Sequence, residues 1–353
     1  MFKILHIINN DKKFFPFIKL TFTSSLIDNY FIKDDEFENQ INNKNYDCII
    51  IHFLSYKISN IINKNQFNIK IIWFFWGNDA FDLNKIKSTI YLPKTKKKLV
   101  FLTLKNNPIK GIKIILRLFF PSLMDKKKKY KNKILSFKKI FLIVPVVPGD
   151  IDILKDNYSI NCLSFHMNYI NPIFKKKMAL TNLNQNILIG NSASFSNNHI
   201  EMIDKLAKIN LNNKKIYIPL SYGNKKYAEY ISKYAHNKLG ENVISLFNFI
   251  NTDEYNKLLN SCKYVFMNHL RQQALGTIMQ CILNGSHIYL NTNSTISLFL
   301  KSNGIKFSNI ENIKNLESLD VHTVNSSKKI CEKIFGVQTQ QKKIKELIKI
   351  INC

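Results

Sequence analysis

Of the 52 lysines and arginines in this chain only two, Arg117 and Arg271, are arginine. Lysine presents a point charge, whereas arginine presents a planar fork that grips a phosphate or carboxylate through two parallel hydrogen bonds. Arg271 follows the apolar run Tyr264–Met267 and opens a helical pattern, in Asn268-His269-Leu270-Arg271-Gln272-Gln273-Ala274-Leu275-Gly276-Thr277. A second such junction lies mid-chain, where Asn186-Ile187-Leu188-Ile189 stops at Gly190-Asn191-Ser192 and small polar residues lead to Asn198-His199-Ile200-Glu201. Asn198 with Glu201 three positions on reads as an Asn version of the capping box. A strand, a Gly-Asn-Ser loop and a helix start bring N–H groups and hydroxyls to the positive end of a helix, a natural seat for a diphosphate. An ordinary strand-to-helix turn has the same appearance.

Candidates for proton or metal chemistry fall in the first half. Asp79 follows both tryptophans in Trp73-Phe74-Phe75-Trp76-Gly77-Asn78-Asp79, where one of only ten glycines marks a tight turn. It is either the cap of the next helix or a general base. His52, ending the neighbouring apolar run, competes for the base role because an imidazole titrates near neutrality. Asp150 and Asp152 follow the run Phe141–Val147 at the spacing by which carboxylates hold a divalent ion against a diphosphate. Alternatively, Asp150 caps a helix running through Leu154.

These residues need a scaffold that ends several strands side by side. Lys3–Ile8, Asp47–Phe53 and Lys70–Phe75 read as buried strands, with helical patterns over Pro16–Asn29 and Tyr56–Asn63. A second alternation begins near Asn171-Pro172. Its strands are Ile187–Ile189, Lys215–Leu220 (leading to Ser221-Tyr222-Gly223-Asn224), Val243–Leu246, Tyr264–Met267 and His287–Leu290, and a last helix spans Ser326–Ile351. Strands alternating with helices predict parallel α/β sheets, which bind ligands at the carboxyl ends of their strands. The expected domains are 1–172 and 173–353, the last helix being able to pack back on the first domain.

At 353 residues, with 45% hydrophobic and 12% aromatic residues, the chain can fill two cores. The six cysteines lack zinc-like spacing and read as reduced thiols. No apolar run reaches bilayer-spanning length and no signal-peptide core opens the chain, so a cytoplasmic location is expected. The net charge of +28 suits an anionic partner of any kind. Cations coincide with bulky apolar residues over Ile109–Lys133, including Lys113, Arg117 and the block Lys126, Lys127, Lys128 and Lys129, as in a segment lying on an anionic membrane surface. A core helix followed by a solvated loop fits the same residues. Nucleic acid suits them less, since the aromatics are not interleaved with the cations.

Together Trp76-Gly77-Asn78-Asp79, Ile187–Ser192, Ser196–Ile200, and Arg271-Gln272-Gln273 with Gly276-Thr277 resemble the enterobacterial TDP-N-acetylfucosamine:lipid II N-acetylfucosaminyltransferases, glycosyltransferase family 56. His6 with Asp11, His52 and Gly149-Asp150 add to the likeness. The resemblance implies a GT-B fold of two Rossmann-like domains facing a cleft, and an inverting enzyme needing neither metal nor other cofactor. It implies a dTDP-amino-deoxy-sugar donor, a polyprenyl-diphosphate-linked glycan acceptor and peripheral attachment to the cytoplasmic face of the bacterial inner membrane. The product would belong to enterobacterial common antigen or O-antigen. Asp79 or His52 would be the base, and Gly190, Asn191, Ser192, His199, Tyr222, Arg271, Gln272, Gln273, Gly276 and Thr277 would hold the donor. The competing expectations are a metal-dependent GT-A-like transferase using Asp150 and Asp152, a basic nucleic-acid-binding protein, and a catalytically dead membrane scaffold.

Overall fold

A computed structural model describes residues 1–9, 14–25, 27–40, 46–175 and 185–352. Asp11 and Cys353 lie outside them. The chain divides into two compact units, the first Met1–Lys87, Phe120–Lys176 and Ile334–Cys353, the second Ser88–Phe119 and Lys177–Lys333.

The first unit is built on a parallel sheet of β1 (Phe2–Ile8), β2 (Ile27–Lys33), β3 (Cys48–Ile51), β4 (Lys70–Phe75), β5 (Leu142–Pro145) and β6 (Leu163–Ser164), in the order β2-β1-β3-β4-β5-β6. β3, β4 and β5 are buried along nearly their whole length, as strands covered on both faces must be. The expected helix Pro16–Asn29 ends at Phe22, and Ile27–Lys33 forms β2 instead, pairing in register with all of β1. Tyr30, Phe31 and Ile32 favour a pleated strand, and the ladder on β1 outweighs a helical pattern that Asp28 and Asn29 only weakly support. The last helical stretch breaks at Gly336 into Val321–Phe335 and Val337–Asn352. Ile344, Leu347 and Ile351 of the final helix join Ile4, Ile18, Phe22, Ile50 and Phe74 in the first unit's core.

The second unit carries β7 (Asn186–Ile189), β8 (Ile216–Pro219), β9 (Val243–Leu246), β10 (Cys262–Met267), β11 (His287–Leu290) and β12 (Ser308–Asn309), parallel in the order β12-β11-β10-β7-β8-β9. Its membership departs from the expected boundary, because the helices Pro93–Asn106 and Pro108–Phe119 belong to it. Leu99 and Leu118 bury in its core beside Ile187, Ile203 and Ile218. Asn198 and Glu201 reach the start of the first of these helices: Leu92 N donates to Asn198 Oδ1 (2.9 Å) and Thr95 N to Glu201 Oε1 (2.8 Å). The capping pair thus serves another helix than its own, whose N-cap Asn198 adopts φ 49° and makes no side-chain cap bond there.

The strand order reverses between β1 and β3 in the first sheet and between β7 and β10 in the second. Connections leave such a point in opposite directions and open a crevice at the carboxyl ends of the strands.

Candidate functional site

In the second unit the residues after β7 and β10 converge on Asn197. Its Nδ2 donates to Ser192 O (2.9 Å) and Ser194 O (3.2 Å), so Oδ1 is left as acceptor. That oxygen takes Asn191 N–H at 3.1 Å and His269 Nε2–H at 2.8 Å. One buried amide therefore fixes the Gly190-Asn191-Ser192 loop and ties it to the loop after β10. Around it, Gln273 Nε2 donates to Asn191 Oδ1 (2.9 Å), Ser196 Oγ to Gln273 Oε1 (2.6 Å) and Asn191 Nδ2 to Tyr222 Oη (3.2 Å).

Glycine is required at Gly190, where φ is +66° and a Cβ would lie 2.6 Å from His199 Nε2 and 2.8 Å from Asn197 Oδ1. His199 is fully buried, neither ring nitrogen meets a hydrogen-bonding partner among the described residues, and burial lowers its pKa to about 3. It is a packing element under the loop rather than a group presented to a ligand. His269 is held neutral by burial first and then by the nearby Arg271. Arg271 Nη1 donates to Gln272 O at 2.9 Å, which points the guanidinium back over its own loop. Gln272 and Gln273 are nearly buried, Tyr222 is 55% exposed, and an added Cβ at Gly276 would meet nothing within 4 Å. Thr277 lies near Tyr255, a phenol that burial holds above its ordinary pKa. Between them Ala274 takes φ +59°, a left-handed conformation that a side chain adopts only under constraint.

In the first unit Asp79 does not cap the following helix. Asp125 does so, accepting from Asn84 N (2.9 Å) and Lys85 N (3.2 Å). Asp79 also differs from the expected base directed at a substrate, because the carboxylate is fully buried and Oδ2 accepts from Trp73 Nε1 (2.6 Å) and Leu54 N (3.3 Å). Burial raises its pKa to about 6, against the opposing pull of Lys133 and the Trp73 bond. His52, also buried, lies in a hydrogen-bonded row with His6 and Tyr169 at the strand-order reversal. Sequence alone does not mark Tyr169, Asn29 and Asn197 as site residues. Only their spatial neighbours reveal them, although Asn197 sits in the Ser196–Ile200 motif.

Asp150 and Asp152 do not form a metal pair. They lie two apart in the first turn of the helix Gly149–Tyr158, which puts them on different faces, one buried and one exposed. Asp150 is not the cap, which is Pro148. Of the cationic segment, Lys113 and Lys126–Lys129 are exposed and Arg117 is half-buried. The helix Pro108–Phe119 buries Gly111 and Leu118 and exposes Ile109, Ile112 and Phe119. It is thus neither a core helix nor wholly polar on its outer side.

Two parallel α/β units, each with polar groups gathered at its strand-order reversal, make up a GT-B fold, and the GT-A-like alternative falls with it. The likeness to solved structures runs over the whole chain. The N-terminal domain of Candida albicans trehalose-6-phosphate phosphatase matches with TM-score 0.64 and 10% identity, over 100% of this chain and 97% of that one. A glycosyltransferase from Rickettsia africae gives 0.60 and 12%, over 99% and 98%. Anabaena HepE in complex with UDP and glucose gives 0.61 and 12%, over 99% and 100%. No curated protein sequence matches the chain. A model of 4-alpha-L-fucosyltransferase, glycosyl transferase group 56, matches residues 130–335, and the chain belongs to this family.

Proposed function

We propose that the chain moves an amino-deoxy sugar of N-acetylfucosamine type from a dTDP-sugar to a polyprenyl-diphosphate-linked glycan, with inversion and without a metal. The product would enter a surface polysaccharide such as enterobacterial common antigen or O-antigen. The observation that carries the donor half is the Asn197 hub. It holds the Gly190-Asn191-Ser192 loop and the Arg271-Gln272-Gln273 loop together at the sheet's binding edge, where a fixed array of donors and one guanidinium suit a departing diphosphate. HepE, of similar fold, has been captured with UDP-glucose, which supports a nucleotide-sugar donor here. Gly190, Asn191, Ser192, Tyr222, Arg271, Gln272, Gln273, Gly276 and Thr277 are assigned to the donor, with His199 beneath them. The acceptor proton is assigned to the His52 side of the first unit.

The lipid acceptor requires a membrane-facing element, and the helix Pro108–Phe119 supplies one. Ile109, Ile112 and Phe119 share a stripe roughly 80° wide at 3.6 residues per turn, beside Lys110, Lys113 and Arg117. Lys126–Lys129 add charge toward anionic lipid, giving peripheral attachment at the cytoplasmic face of the inner membrane. No described helix is long and apolar enough to cross a membrane.

Purified chain, dTDP-N-acetylfucosamine and a polyprenyl-diphosphate-linked disaccharide, incubated with and without EDTA, test the reading. Mass spectrometry should show one added sugar in both samples, and NMR an inverted anomeric centre. Product only without EDTA would remove the metal-independent mechanism, and product only from other nucleotide sugars would remove the donor assignment.

A further inference from the structure

From within the first sheet toward the carboxyl ends of β3 and β4 runs a row of hydrogen bonds whose direction is fixed at one end by a backbone carbonyl. Asn29 Nδ2 faces Phe22 O at 3.0 Å, and a carbonyl only accepts, so that amide atom is the nitrogen and Oδ1 is the acceptor. His6 Nε2 lies 2.8 Å from this oxygen and must carry its proton. In a neutral ring Nδ1 is then a lone pair, and His52 Nε2, 2.9 Å away, must donate to it. His52 Nδ1 is thereby left as a lone pair, and Tyr169 Oη lies 2.6 Å from it. The phenol proton is therefore directed at His52, while the phenol oxygen accepts from Trp76 Nε1 at 3.1 Å. Burial keeps both imidazoles neutral, with His6 lowered to about 3, so the assumption of neutral rings holds at physiological pH.

Asn29, His6, His52 and Trp76 come from β2, β1, the end of β3 and the end of β4, four neighbouring strands that straddle the order reversal. His6 and His52 are buried, whereas Tyr169 and Trp76 are only half-buried, so the row runs from two enclosed imidazoles to side chains that solvent reaches in part, although burial holds the Tyr169 phenol well above its ordinary pKa. Tyr169 is also held by its backbone neighbours, since Asn168 N donates to Gln340 Oε1 (2.8 Å) and Ile170 N to Thr21 Oγ1 (2.7 Å), while its ring stacks on Phe74. A purely structural tyrosine would not need two neutral imidazoles aligned behind its hydroxyl with every tautomer set.

We infer that Tyr169 is the catalytic residue that meets the acceptor hydroxyl and that His52 receives the proton, with His6 and Asn29 as positioning residues. This rests on the glycosyl-transfer reading above. As the acceptor oxygen bonds to the anomeric carbon, the carbon–oxygen bond to the diphosphate breaks and its electron pair leaves with the diphosphate. The acceptor proton passes to Tyr169 Oη while the phenol proton passes to His52 Nδ1. The proton is then shared between His52 Nε2 and His6 Nδ1 and returns to water by the reverse route. The rings of Phe22, Phe31 and Phe74 around the two imidazoles help to hold the transient cation.

The test compares whole-chain wild type with Tyr169→Phe, His52→Asn and His6→Asn in the transfer assay, and reads histidine tautomers in the wild type by 15N NMR. Tyr169→Phe keeps the ring stack, and Asn at position 52 accepts a hydrogen bond without taking a proton. Each should lower kcat at least 100-fold, the ordinary scale of acid–base assistance, with donor KM changed less than twofold. His6→Asn can still accept from His52 Nε2 and should lose less than tenfold. Both histidines should show the Nε2–H tautomer, a readout that does not depend on any variant folding. If the wild type transfers sugar and Tyr169→Phe matches its kcat, or if His52 carries its proton on Nδ1, the relay is overturned while the transferase reading stands. No transfer by the wild type would remove that reading instead.

Discussion

Replacing Gly190 by alanine should cost stability and donor affinity together, by an amount traceable to two contacts. The backbone there has φ +66°, and a side chain in the left-handed region costs about 1 kcal/mol. The new methyl would stand 2.6 Å from His199 Nε2 and 2.8 Å from Asn197 Oδ1, well inside van der Waals contact. Forcing a buried ring aside costs about 1–3 kcal/mol. The sum, about 2–4 kcal/mol, corresponds to a midpoint lower by roughly 3–5 °C in a thermal melt of a chain of this length. Asn197 cannot move without disturbing its bonds to Asn191 N and His269, so dTDP affinity should fall at least tenfold in calorimetry. The strain is a property of the pair, and this gives the sharper check. His199→Ala removes the obstructing ring, so the double variant should be more stable than the two single losses predict, by at least about 1 kcal/mol of coupling. Strict additivity, or wild-type stability for Gly190→Ala, would refute the account of why the loop needs glycine.

Three further outcomes are expected. Asp79 has its folded pKa raised from 3.8 to about 6, so its contribution is most favourable at low pH and is lost as pH rises through about 6. Between pH 4 and 7.5 the wild type should lose about 2 kcal/mol relative to Asp79→Asn in urea unfolding, and parallel pH profiles would contradict this; Asp79→Asn should also retain most turnover while His52→Ala does not. Arg271→Lys keeps the charge but not the fork, so donor affinity and kcat should both fall at least tenfold, a result that full tolerance of lysine would exclude. Ala274→Gly relieves the φ +59° backbone and should raise stability by roughly 0.5–1 kcal/mol; a lower melting midpoint would show that the alanine methyl contributes packing there.

The parts of the fold that could be read from sequence are those where local pattern and tertiary burial agree. Ile187–Ile189 and Lys70–Phe75 are short apolar runs bounded by turn residues, and both are strands buried in a parallel sheet. Ile27–Lys33 mixes polar and apolar residues and becomes a strand only because β1 lies beside it. The grouping of Ser88–Phe119 with the second unit was hidden for a similar reason, since Leu99 and Leu118 look like any helical apolar residues until their neighbours are known. The Gly190 turn at the end of β7 is legible in the sequence. On the other side His52 is legible as a candidate base but its partners are not: Tyr169 reaches it across 117 residues of sequence, and Asn29 sits in β2, where the local pattern suggests a helix. Asp79 drew attention by the Gly77 turn, yet the turn delivers its carboxylate to the Trp73 indole.

The central claim is that the second unit's loops hold a nucleotide diphosphate, and calorimetry on the 353-residue chain with dTDP and with thymidine tests it most directly. If Arg271 and the Asn197-anchored loop grip the diphosphate, dTDP should bind at least 100-fold more tightly than thymidine, and Arg271→Lys should narrow that ratio. Equal affinity for the two, or no binding of dTDP at all, would contradict it.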